Sequence, residues 1–169
     1  QGVSSAASDV YKRQMLISAI KTFTQKVLWE NLDFLIVDMP PGTGDTQLTF
    51  AQEINVDGVI IISTPQEIAL QDVKRGIRMF DKLKVKILGL IDNMSHFVGD
   101  DGKKYAIFGE GGVKKTAEEF KKDFMGEIPI HPEVGKQGDL GSPIVESKPD
   151  HEISKIYFKF AEKIKSIYL

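Results

Sequence analysis

The stretch Leu35-Ile36-Val37-Asp38-Met39-Pro40-Pro41-Gly42-Thr43-Gly44-Asp45 decides how the rest of the chain is read. An apolar run stops at a carboxylate, breaks into prolines and glycines, and reaches a second carboxylate. The pattern predicts a buried parallel strand over Phe34–Val37 that delivers Asp38 to the end of a sheet. Behind it, Gly42 and Gly44 let the backbone approach a ligand without side-chain obstruction. Open α/β sheets bind their ligands at the carboxyl ends of such strands. A plain turn needs proline and glycine but not a carboxylate on each flank.

Upstream, Leu16, Ile20, Phe23, Val27 and Leu28 recur at helical spacing, which predicts an amphipathic helix over Met15–Trp29 closed by Asn31. Residues 1–14 are small and polar without periodicity, and read as an unstructured tail with no packing role or as a segment extraneous to the natural protein. Downstream, Asp45 and Thr46 offer N-caps to a helix over Thr46–Ile54. Gly58–Ile62 predicts a second buried strand, Gln66–Leu83 a helix, and Lys86–Ile91 a third strand ending at Asp92-Asn93. A polar, glycine-rich segment from His96 to Gly112 precedes a helix over Lys114–Phe120 and a short strand at Gly126–Pro129. His131–Pro149 reads as loop, and His151–Tyr168 as a closing amphipathic helix. Strands alternating with helices predict an α/β fold with a parallel sheet and flanking helices. Residues 15–169 read as one domain, without internal repeat or linker.

Composition narrows the function. With 169 residues, 41% hydrophobic and 27% charged, the chain can bury a core. A net charge of −2 does not suggest a nucleic-acid partner. The absence of cysteine removes disulfides, thiolate catalysis and thiolate metal ligands from this chain. No apolar run approaches the roughly 20 residues that span a bilayer, so a cytoplasmic protein without a membrane partner is expected.

The expected strand ends gather polar groups, Asp38, Ser63-Thr64 and Asp92-Asn93, along one sheet edge. A carboxylate such as Asp38 suits Mg²⁺, a hard cation that also takes phosphate oxygens. Backbone N–H groups at Gly42 and Gly44 can face a phosphate. Asn93 carries donors and an acceptor that match a base edge, or it is simply a strand-terminal turn residue.

These residues carry a resemblance. Asp38-Met39-Pro40-Pro41-Gly42-Thr43-Gly44-Asp45 resembles the Walker B and switch II segment of the Mrp/ApbC group of P-loop ATPases, relatives of MinD and ParA. Ser63-Thr64-Pro65-Gln66, Asp92-Asn93-Met94-Ser95, Ile107-Phe108-Gly109-Glu110-Gly111-Gly112 and Gly126-Glu127-Ile128-Pro129 match further motifs in the same order. The resemblance implies an ATP-dependent iron–sulfur cluster carrier or scaffold that hydrolyses ATP, acts as a homodimer and serves apo iron–sulfur proteins. It implies Asp38 holding Mg²⁺ through water, Gly42 sensing the γ-phosphate through its N–H, and Asp45 near the attacking water or the switch. It also implies Asn93 at the adenine edge, with Pro129 and Ile130 walling the base.

Two departures qualify it. The family's Gly-rich P-loop lies well upstream of Walker B, and no such motif occurs in this sequence, which resembles the C-terminal part of the domain. Without that backbone cradle for phosphates the chain alone is expected to bind ATP poorly. Where the family carries Cys-x-x-Cys, this chain has Val98-Gly99-Asp100-Asp101-Gly102, so a [4Fe–4S] cluster held by the usual thiolates is not expected. His96 reads as a surface-loop histidine, and His131 and His151 lie in loop-like surroundings with no partner evident from sequence. The apolar stripe of the last helix, Ile153, Ile156, Tyr157, Phe160, Ile164 and Ile167, reads as core, with a membrane-binding face as the alternative. A MinD/ParA-like positioning ATPase and a nucleotide-independent interaction module are the competing functions.

Overall fold

The computed structural model describes residues 14, 15, 17–19, 21–24, 26–39 and 45–169. Two compact units divide the chain: Gly58–Ile77 with Ile87–Leu169, and Gln1–Asp57 with Arg78–Lys86.

In the first unit, β1 (Val59–Ser63) is followed by α2 (Glu67–Lys82, which continues past Ile77), α1 being reserved for Asp45–Glu53 of the other unit. Next come β2 (Ile87–Val98), β3 (Lys104–Tyr105), α3 (Gly112–Glu119) and β4 (Phe124–Ile130). The chain ends in α4 (Pro132–Asp139), α5 (Ile144–Ser147) and α6 (Glu152–Tyr168). β2 is the hub: β1 and β4 pair with it in parallel, and β3 pairs antiparallel with its last residues. Successive strand residues point to opposite faces, and the two faces of β2 nucleate two cores. Leu90 packs with Leu70, Val73 and Ile77 of α2 and with Val113 and Ala117 of α3. Ile91 packs with Met125, Ile128 and Phe160, the last on α6. Helices therefore cover both faces of a parallel sheet, as expected from the sequence. The stripe of α6 is core up to Ile164, since Ile153 and Phe160 are buried and Ile156, Tyr157 and Ile164 pack around Ile91, whereas Ile167 in the last turn is exposed. Gly126 is required where it stands, because its φ is +147° and a Cβ there would lie 3.0 Å from the Phe160 ring.

Three expectations are corrected in this unit. The third strand does not stop at Asp92-Asn93 but runs to Val98, because Phe97 and Val98 find new partners in Tyr105 and Lys104. The short strand at Gly126–Pro129 is longer, Phe124–Ile130, with Pro129 inside it rather than ending it. The segment read as loop between His131 and Pro149 holds α4 and α5. Proline at the first position of α4 is preorganised for a helix start, a signal masked by the surrounding glycines.

The other unit departs further. Residues 14–15, 17–19 and 21–24 are helical, but the chain leaves the helix by Lys26 instead of Trp29. The Trp29 indole donates back to the Phe23 carbonyl at 2.8 Å. Asn31 adopts a left-handed φ of 51° in a separate turn. The short helix expected over Thr46–Ile54 is α1, where Gln47, Phe50 and Ala51 are buried. Lys21 forms an ion pair with Glu53.

The expected strand Phe34–Val37 is overturned: residues 34–39 are neither strand nor helix, and Ile36 is 89% exposed. A parallel strand exists only where a neighbour receives its N–H and C=O groups. The described strands pair with one another, and none of their ladders includes this run.

Candidate functional site

The carboxyl edge of the parallel strands carries the polar groups. Ser63 of β1, Asp92 of β2 and Glu127 of β4 stand in register across the sheet. One residue on, Asn93 pairs with Ile128, next to Pro129 and Ile130. Asn93, Pro129 and Ile130 are all half-buried, so the structure sets three expected site residues on adjacent strands.

Proline explains the local geometry. Pro129 has no N–H to give the ladder, and the pairing slips between Asn93 and Phe97 opposite it. The slip throws out a bulge in which Met94 takes a left-handed φ of 55° and is 38% exposed. Ser95 is buried there, with its hydroxyl 3.3 Å from the Ile128 carbonyl and 3.0 Å from His96 Nδ1. His96 is thus not on a surface loop. It lies in β2, and its Nδ1 is 3.7 Å from a Glu127 carboxylate oxygen.

Asp92 is the anomaly of the site. It is 1% exposed, and its Oδ1 has no hydrogen-bond partner among the described residues. Burial, reinforced by the negative charge of Glu127, pushes its carboxyl up to about 6. The sequence pattern puts Asp92 at a strand end but carries no sign of Glu127 beside it. Only the strand register brings two residues 35 positions apart together.

The Gly109–Gly112 segment lies over the loop after β1. A Cβ on Gly112 would meet the Pro65 carbonyl oxygen at 2.8 Å and Leu70 at 2.6 Å, so no larger residue fits. This motif serves close packing of the α3 start on the Pro65 turn.

The remaining expected site residues belong to the other unit. Asp38 is exposed in the segment that is not a strand, and Asp45 opens α1. Gly42 lies outside the described residues.

The loop at Val98–Gly102 is a closed hairpin turn. Gly99 N–H donates to the Lys103 carbonyl at 2.9 Å, and Gly102 N–H to that of Gly99 at 2.9 Å. Asp101 accepts from the Lys103 N–H at 3.0 Å and the Tyr105 hydroxyl at 2.9 Å, which hold its carboxyl below the usual range. Its oxygens are therefore engaged by the hairpin itself. Among the described residues, no three His, Cys, Asp or Glu side chains are grouped to hold a metal ion.

His131 and His151 do have partners, each other. Their rings meet edge-on with centroids 4.6 Å apart. Each caps a helix, with Nδ1 accepting from the N–H of Glu133 or Ile153 at 3.2 Å. No helix among the described residues is long and apolar enough to cross a membrane.

A parallel sheet between helix layers, with its polar groups at the carboxyl edge, is the architecture of a P-loop NTPase domain. Solved structures agree. A nucleotide-binding protein in complex with ADP from Archaeoglobus fulgidus superposes with a TM-score of 0.69 at 38% identity, over 75% of this chain and 53% of that one. The cell division ATPase MinD of Pyrococcus furiosus gives 0.66 over 92% and 59% of the chains, at 20% identity, and shows the fold alone. Residues 3–165 match the family described as ParA: NUBPL iron-transfer P-loop NTPase, and the chain belongs to that family. An iron-sulfur cluster carrier protein of Aquifex aeolicus is 41% identical over 94% of this chain and 44% of its own length. The iron-sulfur cluster transfer protein NUBPL of Mus musculus is 42% identical over 96% and 51%. The chain thus spans about half the length of the curated relatives it matches.

Proposed function

We propose that this chain forms part of an ATP-dependent iron–sulfur cluster carrier, contributing its base-facing edge and its switch segment. The observation that carries the reading is Asn93 beside Pro129 and Ile130 at the carboxyl edge of the sheet, in a chain whose residues 3–165 match an iron-transfer family. Asn93 is read as facing the adenine edge, with Pro129 and Ile130 along the base. Asp38, an exposed carboxylate, is the hard donor that fits Mg²⁺, which when bound neutralises phosphate charge. Gly42 is assigned to the γ-phosphate and Asp45 to the attacking water. The assembled protein is read as a cytoplasmic homodimer that hydrolyses ATP and passes clusters to apo iron–sulfur proteins. The cluster is cargo, and with no cysteine in this chain its ligands must come from elsewhere. Against the membrane-positioning alternative, the apolar stripe of α6 is already spent on the sheet.

Two titrations test the proposal. Mg-ATP is titrated against this chain and against the chain joined to a family segment bearing a P-loop. Binding only by the joined form, weakened at least tenfold by Asn93→Ala, supports the reading. Tight binding by the chain alone contradicts the division of labour, and an indifferent Asn93→Ala contradicts the base edge. Anaerobic reconstitution with iron and sulfide should leave the chain alone without a stoichiometric cluster.

A further inference from the structure

We propose that Asp92 is a positioning residue, a proton-dependent latch that holds β2 against β4 directly behind Asn93. Its functional consequence rests on the reading of Asn93 given above; the latch itself does not.

The geometry is that of two carboxylates set opposite each other across a parallel ladder. Asp92 and Glu127 are in-register partners, and like charges so placed repel. Asp92 is buried and its Oδ1 lacks a donor among the described residues, whereas the Glu127 side chain is 45% exposed and open to water. The cost of ionisation therefore falls on Asp92. On β1 the facing residue is Ser63, which carries no charge. On β2 itself, His96 leans toward Glu127 rather than supplying Asp92 with a donor.

By two-residue alternation Asp92 shares the Leu90 face, beneath α2 and α3. The charges of those helices are engaged or exposed. Lys74 pairs with Glu119 and Arg75 with Asp72, while Glu67, Lys114 and Glu110 of the preceding loop are exposed. Glu127 is the charged group that acts on Asp92.

Protonated, Asp92 leaves this level of the sheet without a buried charge, and β2 and β4 stay zipped through Asn93 to the Pro129 bulge. Ionised, it places an unpaired charge beside Glu127, and the cost is relieved by parting the strands there and admitting water. The Asn93 edge is then held tightly in acid and loosely in alkali.

Amide hydrogen exchange of residues 91–93 and 126–128 on this chain, corrected for the intrinsic pH dependence, tests the latch without any nucleotide. Opening should become ten- to roughly hundredfold more frequent from pH 5 to pH 8, with a midpoint near 6. Asp92→Asn should abolish the step. Glu127→Gln should keep it but move it to lower pH, because burial remains. An unchanged step in Asp92→Asn, or no step in the wild type, overturns the proposal. Should Asp92→Asn fail to fold, the ¹³C carboxyl titration of wild-type Asp92 decides. A midpoint coinciding with the exchange step supports the latch, and one in the ordinary carboxylate range removes it. Nucleotide affinity of the P-loop-bearing form reports separately on Asn93, so the latch and the base-edge reading can fail independently.

Discussion

Phe34-Leu35-Ile36-Val37 and Val59-Ile60-Ile61-Ile62 are apolar runs of the same length, each followed by a polar residue, yet only the second is a strand. Val59–Ser63 pairs in parallel with β2, in unbroken register from Ile60 to Ser63 after one shift at Val59, and Ile60 and Ile61 pack into opposite cores. Phe34–Val37 joins none of the ladders of the described strands, and its side chains are exposed. The difference lies in the partner, since both runs have strand-like composition. Hydrophobic periodicity measures what a segment would gain by burial, but a strand also needs hydrogen-bonding neighbours at its edges.

The largest test sets the two runs against each other. Leu90→Ala, at the fully buried contact between β1, β2, α2 and α3, should lower unfolding free energy by about 3 to 4 kcal/mol in a denaturant titration. Ile36→Ala should change it by less than about 0.5 kcal/mol. A comparable loss at Ile36 would mean that the first run is packed after all.

A charge at the centre of the same sheet gives the next effect. A carboxyl raised by folding favours the folded state in acid, and that contribution fades as pH rises through about 6. Asp92→Asn should therefore stabilise the chain at pH 7.5 by on the order of 2 to 3 kcal/mol and have little effect at pH 4. Thermal unfolding at both pH values measures it.

The smallest effect concerns the corner read as loop. Ser154 is fully buried, and its hydroxyl donates toward the carbonyls of Lys148 at 2.7 Å and Ile144 at 3.0 Å. Ser154→Ala should cost about 1 kcal/mol by denaturant titration, by leaving those acceptors short of a donor.

Legibility in the sequence followed the same rule. β1, α2, β2 and α6 were readable because each carries its own period and each finds the partner that the pattern implies. The length of β2 was not, because Phe97 and Val98 join the sheet only through a hairpin whose turn is set by Asp101. The pairing of Asp92 with Glu127, and of His131 with His151, depends on register and on helix-start geometry, which no local pattern encodes. Asn93 was legible as a polar group at the sheet edge. The bulge that presents it was not, although its cause, a proline inside the neighbouring strand, is written in the sequence at Pro129.

Residue-resolved hydrogen exchange across both runs tests this most directly. Amides of Ile60–Ser63 and Leu88–Asp92 should be protected to near the global stability at pH 5, while those of Leu35–Val37 exchange close to the unprotected rate. Protection of Leu35–Val37 equal to that of β1 would show that the first run is a strand, and would contradict the account.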